Sequence, residues 1–270
     1  MKVTIVSISF NQAAFLEQAI RSVVDQDYGN IEYIIVDPGS TDGSHEIIER
    51  YRDRITKVII EPDEGPADGL NKGFAHATGE IYGYINADDA YLPGAIDRAM
   101  AAFRASPEAD VICGHGYIVD ERGRAVRRFR SDRFDARRYA LGGAVVMQQS
   151  TFFRRSAFER VGGFNTKNRT SWDGEFLLEM SLAGSRFVVV HDYWSIFRIH
   201  PTSISGSQTL IDESRKNWDR YFERVMGRPR RSSDCLLKLW AKVEKRLRDP
   251  VGLWLRIRDG IFGAPRRKLL

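Results

Sequence analysis

Residues 3–37 read VTIVSISFNQAAFLEQAIRSVVDQDYGNIEYIIVD. Two β-branched, nearly continuous apolar runs, Val3 to Ser9 and Ile31 to Asp37, flank a segment in which Leu16, Ala19, Ile20, Val23 and Val24 recur at helical spacing. Unbroken apolar runs of this length suit strands covered on both faces, and the connection between them is long enough for a parallel crossover. The stretch is predicted to fold as strand, helix, parallel strand.

Outward from it, the alternation continues. Ser44 to Arg50 is predicted helical, Val58 to Glu61 a strand, Ala67 to Ala77 a helix and Ile81 to Asn86 a strand. Pro93 is expected to open a helix with Ile96, Ala99, Met100 and Phe103 on its apolar face, because proline in a first turn sacrifices no hydrogen bond. Val111 to Val119 follows as a strand. Such alternation predicts an α/β fold, a Rossmann-like, mostly parallel sheet with helices on both faces, whose ligands bind at the carboxyl ends of the strands. Residues 121–226 are less regular, with a hairpin near Asp120 to Gly123 and helices near 155–161 and 173–184. They are read as completing one catalytic domain over 1–226, joined by the GRPRRSS linker at Gly227 to a helical tail over 227–270.

Composition narrows the function. A chain of 270 residues with 43% hydrophobic content can bury a full core. Cys113 and Cys235 match neither a zinc spacing nor a disulfide framework and are expected to be buried thiols in a reducing, cytoplasmic setting. Ser7, Ser9 and Asn11 break the first apolar run where a signal peptide would stay apolar, and no stretch approaches the roughly 20 residues that span a bilayer. The net charge of +5 is uneven: residues 228–270 hold 13 Lys and Arg against 4 Asp and Glu, or +9, leaving −4 for the rest. An acidic body without a recognisable binding signature argues against nucleic acid.

Three acidic segments carry candidate chemistry. Asp37 ends the second strand, where a carboxylate can accept hydrogen bonds from a base or a ribose; with Asp42 it also suits a turn and cap. Asn86, Asp88 and Asp89 end the fourth strand. Adjacent acids repel unless a divalent cation shares them with a diphosphate, although they also suit a helix N-cap. Between these segments runs DEGPADGLNKG (63–73), whose Asp68, Asn71 and Lys72 share a helical face; Lys72 suits either a phosphate or Asp68.

Taken in order, VSISFNQAAFLEQAIRSVVDQDY, IIVDPGSTDGS, DEGPADGLNKGFAHATGE and YINADDAYLPGA resemble the family 2 glycosyltransferases of the GT-A type fold. The resemblance is close over residues 1–120, the nucleotide-sugar half, and looser over MQQSTFFRRSAFERVGGF, the Asp173 segment and FRIHPTSIS to about 205. It implies a nucleoside-diphosphate sugar donor, a UDP-sugar above others, with Mn2+ or Mg2+ and inversion at the anomeric carbon. By position it implies nucleotide contacts at Ser9, Asn11, Asp37, Asp68, Lys72, Asn86 and Asp88, and metal contacts at Asp88, Asp89 and His200. It also implies a catalytic base at Asp173, with Glu175 the substitute and an N-cap the plain alternative for Asp173. Arg198, Lys167 and Arg169 are looser candidates for phosphate or acceptor contacts, and Gln148 and Gln149 for the acceptor pocket. Asn86 and Pro38 stand where many members carry acids.

In the tail, Leu236, Leu239, Trp240, Val243 and Leu247 share a helical face among Lys238, Lys242, Lys245 and Arg246; Leu253, Trp254, Ile257 and Ile261 repeat the theme after Pro250. This pattern suits an anionic membrane surface, packing on the catalytic domain, or a homodimer contact. The reading is thus a transferase acting on a glycan or lipid-linked glycan hydroxyl at the inner face of a membrane. The alternatives are a sugar-phosphate nucleotidylyltransferase, which normally carries a glycine-rich phosphate loop after its first strand where this chain has SFNQAAF, and a catalytically silent nucleotide- or membrane-binding module.

Overall fold

The strand-helix-strand unit forms as its sequence dictates: β1 (Val3–Ile8), α1 (Ala13–Val24) and β2 (Ile31–Asp37), with Val3 opposite Ile31 in parallel register. The computed structural model describes residues 1–201 and 211–262. Thr202 to Ser205 of the FRIHPTSIS segment, the side chain of Ile261 and residues 263–270 lie outside the described residues. Alternate residues of each strand face opposite ways. Val3 and Ile5 of β1, Tyr33 and Ile35 of β2, and Ile81 and Ile85 of β4 (Ile81–Asn86) enter one core with α1, α2 (Ser44–Arg50) and α4 (Ala95–Ala105). Val6, Ile34, Val36, Tyr82 and Tyr84 enter the other, under α3 (Pro66–Phe74), α6 (Arg155–Val161) and α7 (Trp172–Leu182). Helices therefore cover both faces.

The nine-stranded sheet runs β3-β2-β1-β4-β8-β6-β9-β5, with β7 paired to β6, where β3 is Lys57–Ile60, β5 Ala90–Tyr91, β6 Val111–Val119, β7 Ala125–Phe129, β8 Thr151–Arg154 and β9 Phe187–Arg198. The N-terminal half is wholly parallel. Beyond β4 the sheet is mixed: β8 runs antiparallel to both β4 and β6, whereas β6 and β9 are parallel. The hairpin at Asp120–Gly123 joins β6 to β7.

Two expectations are corrected. Pro93 does not begin a helix; Gly94 takes a left-handed conformation (φ 70°) and α4 starts at Ala95. Pro66 is the proline that opens a helix, behind Gly65 at φ 122°, which suits glycine's freedom at positive φ. Cys113 is buried, but Cys235 is exposed near the start of α9 (Asp234–Arg248), on a helix that docks by its other side.

Close approach of α3 to the sheet fixes one wall of the site. A Cβ on Gly73 would fall inside van der Waals contact of Val6 and press on Val36, so only glycine lets the helix lie this low. Asn71 of α3 brackets Phe164, donating to its carbonyl at 2.8 Å and accepting its N–H at 2.9 Å.

Candidate functional site

The carboxyl ends of β1, β2 and β4 open into a cavity of about 570 Å3, a size that suits a small ligand. Ser9, Phe10 and Gln12 follow β1, Pro38 follows β2, and Pro62, Asp63, Gly65 and Pro66 lead into α3; Asn86, Ala87 and Asp88 close β4, with Trp172 and Phe197 opposite. Three buried polar atoms of this lining, Ser9 Oγ, Gln12 Oε1 and Asn86 Oδ1, have no hydrogen-bond partner among the described residues. Buried polar groups in folded proteins are almost always paired, so three orphans around one cavity mark a place where a polar ligand completes the bonding.

The two adjacent acids part company. Asp88 points to His200, whose Nε2 lies 3.0 Å from Asp88 Oδ2, and both residues are buried. Asp89 is held on both oxygens, by the Arg198 N–H at 2.9 Å, Gln149 Nε2 at 2.8 Å and Asn86 Nδ2 at 3.3 Å. Burial, and then the charge of Asp88, pushes the Asp89 carboxyl well above the usual range against those three donors. Arg198 braces the pair: its Nε donates to the Asp88 carbonyl at 2.9 Å and its guanidinium stacks on Phe15 at 4.8 Å. A carboxylate and an imidazole in contact, beside a diphosphate-sized cavity, fit a magnesium or manganese ion that takes its remaining ligands from phosphate and water. Asp88 and His200 would hold it, and Asp89 would position them.

Other sequence-predicted residues are engaged elsewhere. Asp37 is fully buried and turns back into its own loop, accepting from Gly39 N at 2.9 Å, Ser40 N and Oγ at 2.7 Å and His45 at 3.0 Å. Asn11, at a left-handed φ of 51°, accepts from Thr41 N and donates its own N–H to Ser40, tying the β1 loop to the β2 turn. Lys72 pairs with Asp68 at 3.2 Å and donates to the Pro62 carbonyl. Lys167 and Arg169 are exposed. Gln148 donates to the Tyr84 carbonyl, and Gln149 to Asp89.

Asp173 sits in the first turn of α7, next to the cavity-lining Trp172, and burial pushes its carboxyl above the usual range. Glu175, its substitute by sequence, is committed to Asn165, Asn168 and Arg220. The acid that sequence reasoning passed over is Asp63, which lines the cavity with its carboxyl raised by burial. Its signal was present in DEGPADG, as an acid two residues ahead of the helix-opening Gly65-Pro66 pair.

A family model described as Glycosyl transferase family 2 matches residues 4–162, more than half of the chain. The chain belongs to glycosyl transferase family 2. A second model, Glycosyl transferase family group 2, matches residues 84–248. This family 2 chain is 35% identical over 131 residues to an uncharacterized glycosyltransferase of Nostoc sp., 45% of this chain but only 40% of that protein's length. It is 30% identical over 183 residues to an uncharacterized glycosyltransferase of Mycobacterium tuberculosis, covering 67% of this chain and 69% of the relative. Among solved structures, S. aureus TarS 1–349 in complex with UDP superposes with a TM-score of 0.66 at 19% identity, over 92% of this chain and 72% of that one. Mannosyltransferase PcManGT from Pyrobaculum calidifontis, in complex with GDP-Man and Mn2+, gives 0.63 at 18% identity, over 98% and 76%. These likenesses place the family 2 chain in the GT-A fold.

Proposed function

We propose that this glycosyltransferase moves a sugar from a nucleoside diphosphate, UDP above others, to a hydroxyl of a glycan or lipid-linked glycan, with inversion, while resting peripherally on the inner face of a membrane. The observation that carries the reading is the cavity at the ends of β1, β2 and β4, with its three polar atoms unpartnered among the described residues and the Asp88–His200 pair at its edge. Solved relatives of the same fold holding UDP or GDP-Man with Mn2+ support a nucleotide-sugar donor and a divalent cation.

In this mechanism Ser9, Gln12, Asn86 and Asp63 bind the nucleotide, and Phe10 and Phe197 cover it. Asp88 and His200 would hold a divalent cation, which would supply Lewis-acid stabilisation of the charge on the departing diphosphate. Asp173 takes the proton of the acceptor hydroxyl as that oxygen bonds to the anomeric carbon; the carbon's bond to the diphosphate breaks, and its electron pair departs with the phosphate. The raised carboxyl of Asp173 suits a base, since proton affinity rises with pKa. Residues 1–120 serve the donor, 121–226 the acceptor, and 227–270 form the peripheral tail.

Calorimetric titration of UDP, GDP and dTDP, with and without manganese, tests the donor site. One nucleotide binding tightly, with manganese dependence lost in Asp88→Ala, is the expected result; failure of all three to bind would refute the reading.

A further inference from the structure

The last two helices, α9 and α10 (Pro250–Phe262), are clamped to the body on one side and bare on the other. On the clamped side Ala241 is buried against Leu141 and Phe222, and a Cβ on Gly143 would meet Ala241 at 2.8 Å. Asp132, 4% exposed, accepts Lys245 of α9 at 2.8 Å and Arg256 of α10 at 2.7 Å, so one buried carboxylate fixes the roll of both helices. On the other side Leu236, Leu239, Trp240 and Leu247 of α9, with Trp254 and Ile257 of α10, are each more than half exposed. Their spacing within each helix makes a single stripe per helix, and the shared clamp turns both stripes away from the body.

We propose that this outward face docks on an anionic lipid surface. The proposal deepens the peripheral location above by naming the surface that would make the contact. Charge decides the occupant. The segment from Arg228 onward carries +9 against −4 for the rest of the chain, with Lys242 and Arg246 exposed beside the α9 stripe, so apposing two copies through this face would bring like charges together. Anionic headgroups complement it instead. The helices, of 15 and 13 residues, are too short to span a bilayer but long enough to lie in its interface with tryptophan at headgroup depth. Arg258 already stacks on Trp254 at 5.3 Å, which keeps a cation beside the apolar stripe.

The test is flotation of the full chain with phosphatidylcholine vesicles and with vesicles of equal parts phosphatidylcholine and phosphatidylglycerol, UDP binding being measured on the same samples. The expected result is binding to the mixed vesicles only, weakened by high salt, and reduced at least about tenfold in the double variant Trp240→Glu, Trp254→Glu, both sites being solvent-exposed. UDP binding unchanged in that variant shows that it folds. Absence of binding to the mixed vesicles, binding indifferent to the double variant, or a dimer in solution that the variant dissociates would overturn the proposal. Vesicle binding without UDP binding would instead sink the donor reading and leave this one standing.

Discussion

His200 Nε2 lies 3.0 Å from Asp88 Oδ2 across 112 residues of sequence, whereas Asp89, the next residue, spends both oxygens on Arg198, Gln149 and Asn86. The Asp89 N–H closes a turn onto the Asn86 carbonyl at 3.1 Å, and this turn leaves Asp88 lining the cavity while Asp89 reaches back to Arg198 and Gln149. On the proposed reading the DD pair divides into a cation ligand, Asp88, and its support, Asp89. Asp89→Asn is expected to weaken manganese-dependent nucleotide binding by roughly 10–100-fold, the scale of losing a ligand's supporting partner, and Asp88→Ala by more. Isothermal titration with and without the ion ranks the two; an Asp89 variant more damaging to metal dependence than Asp88→Ala would reverse the assignment.

Asp173→Asn should lower kcat by roughly 10²–10⁴-fold with donor affinity unchanged, the range for removing a general base. Because burial raises the Asp173 carboxyl, the wild-type kcat should fall on the acid side at a pH above the ordinary carboxylate range. A pH-rate profile checks this, and a rate flat down to ordinary carboxylate pH would argue for another base.

Ser9→Ala and Asp63→Asn alter groups that line the cavity, and asparagine at 63 can keep the 2.9 Å bond that Asp63 Oδ1 accepts from the Gly65 N–H. Each should reduce nucleotide affinity by about 1–2 kcal/mol, the worth of one hydrogen bond to a ligand, while leaving the thermal midpoint unchanged within a few degrees. Differential scanning fluorimetry with and without UDP separates the two effects.

His115 is fully buried, shares a 3.2 Å contact with His191, and has its basicity pushed down to about 3, first by burial and then by His191. An unfolded histidine binds a proton near pH 6.5, so between about 6.5 and 3 the unfolded state holds the extra proton, and stability rises with pH across that window. Urea unfolding should show this residue withdrawing about 2–3 kcal/mol between pH 7 and pH 4.5, recovered in part by His115→Gln. Equal loss on acidification in wild type and variant would refute the attribution.

The N-terminal half of the fold was legible because its strands are buried on both faces. β2 and β4 occupy the runs expected from sequence, and β1 ends one residue early at Ile8. Strand β5 was not legible: two residues, Ala90 and Tyr91, carry no periodicity and pair only because Ile196 and Ser195 arrive from far along the chain. Strand β9 was missed since His191 and Asp192 break its apolar run, and both are spent on partners mostly far along the chain, His191 on His115 and Asp249 and Asp192 on Arg98 and the Trp194 indole. In the site, the end of β4 announced Asn86 and Asp88 and the resemblance pointed to Ser9, all three lining the cavity, but nothing in DPGSTDGS distinguished an acid aimed at a ligand from one folded into its own turn, which is what Asp37 does. Asp63 stayed hidden because its place in the cavity wall depends on where Gly65 and Pro66 swing the chain, a tertiary fact.

Arg198 ends β9 and His200 lies two residues beyond it, yet both finish the site built by the first four strands. A graft that transplanted residues 1–120 onto another acceptor-binding partner would therefore leave Asp89 without its Arg198 donor and Asp88 without its imidazole. The two halves of this enzyme are not interchangeable cassettes: any swap of acceptor specificity in this scaffold has to carry the end of β9 along with it.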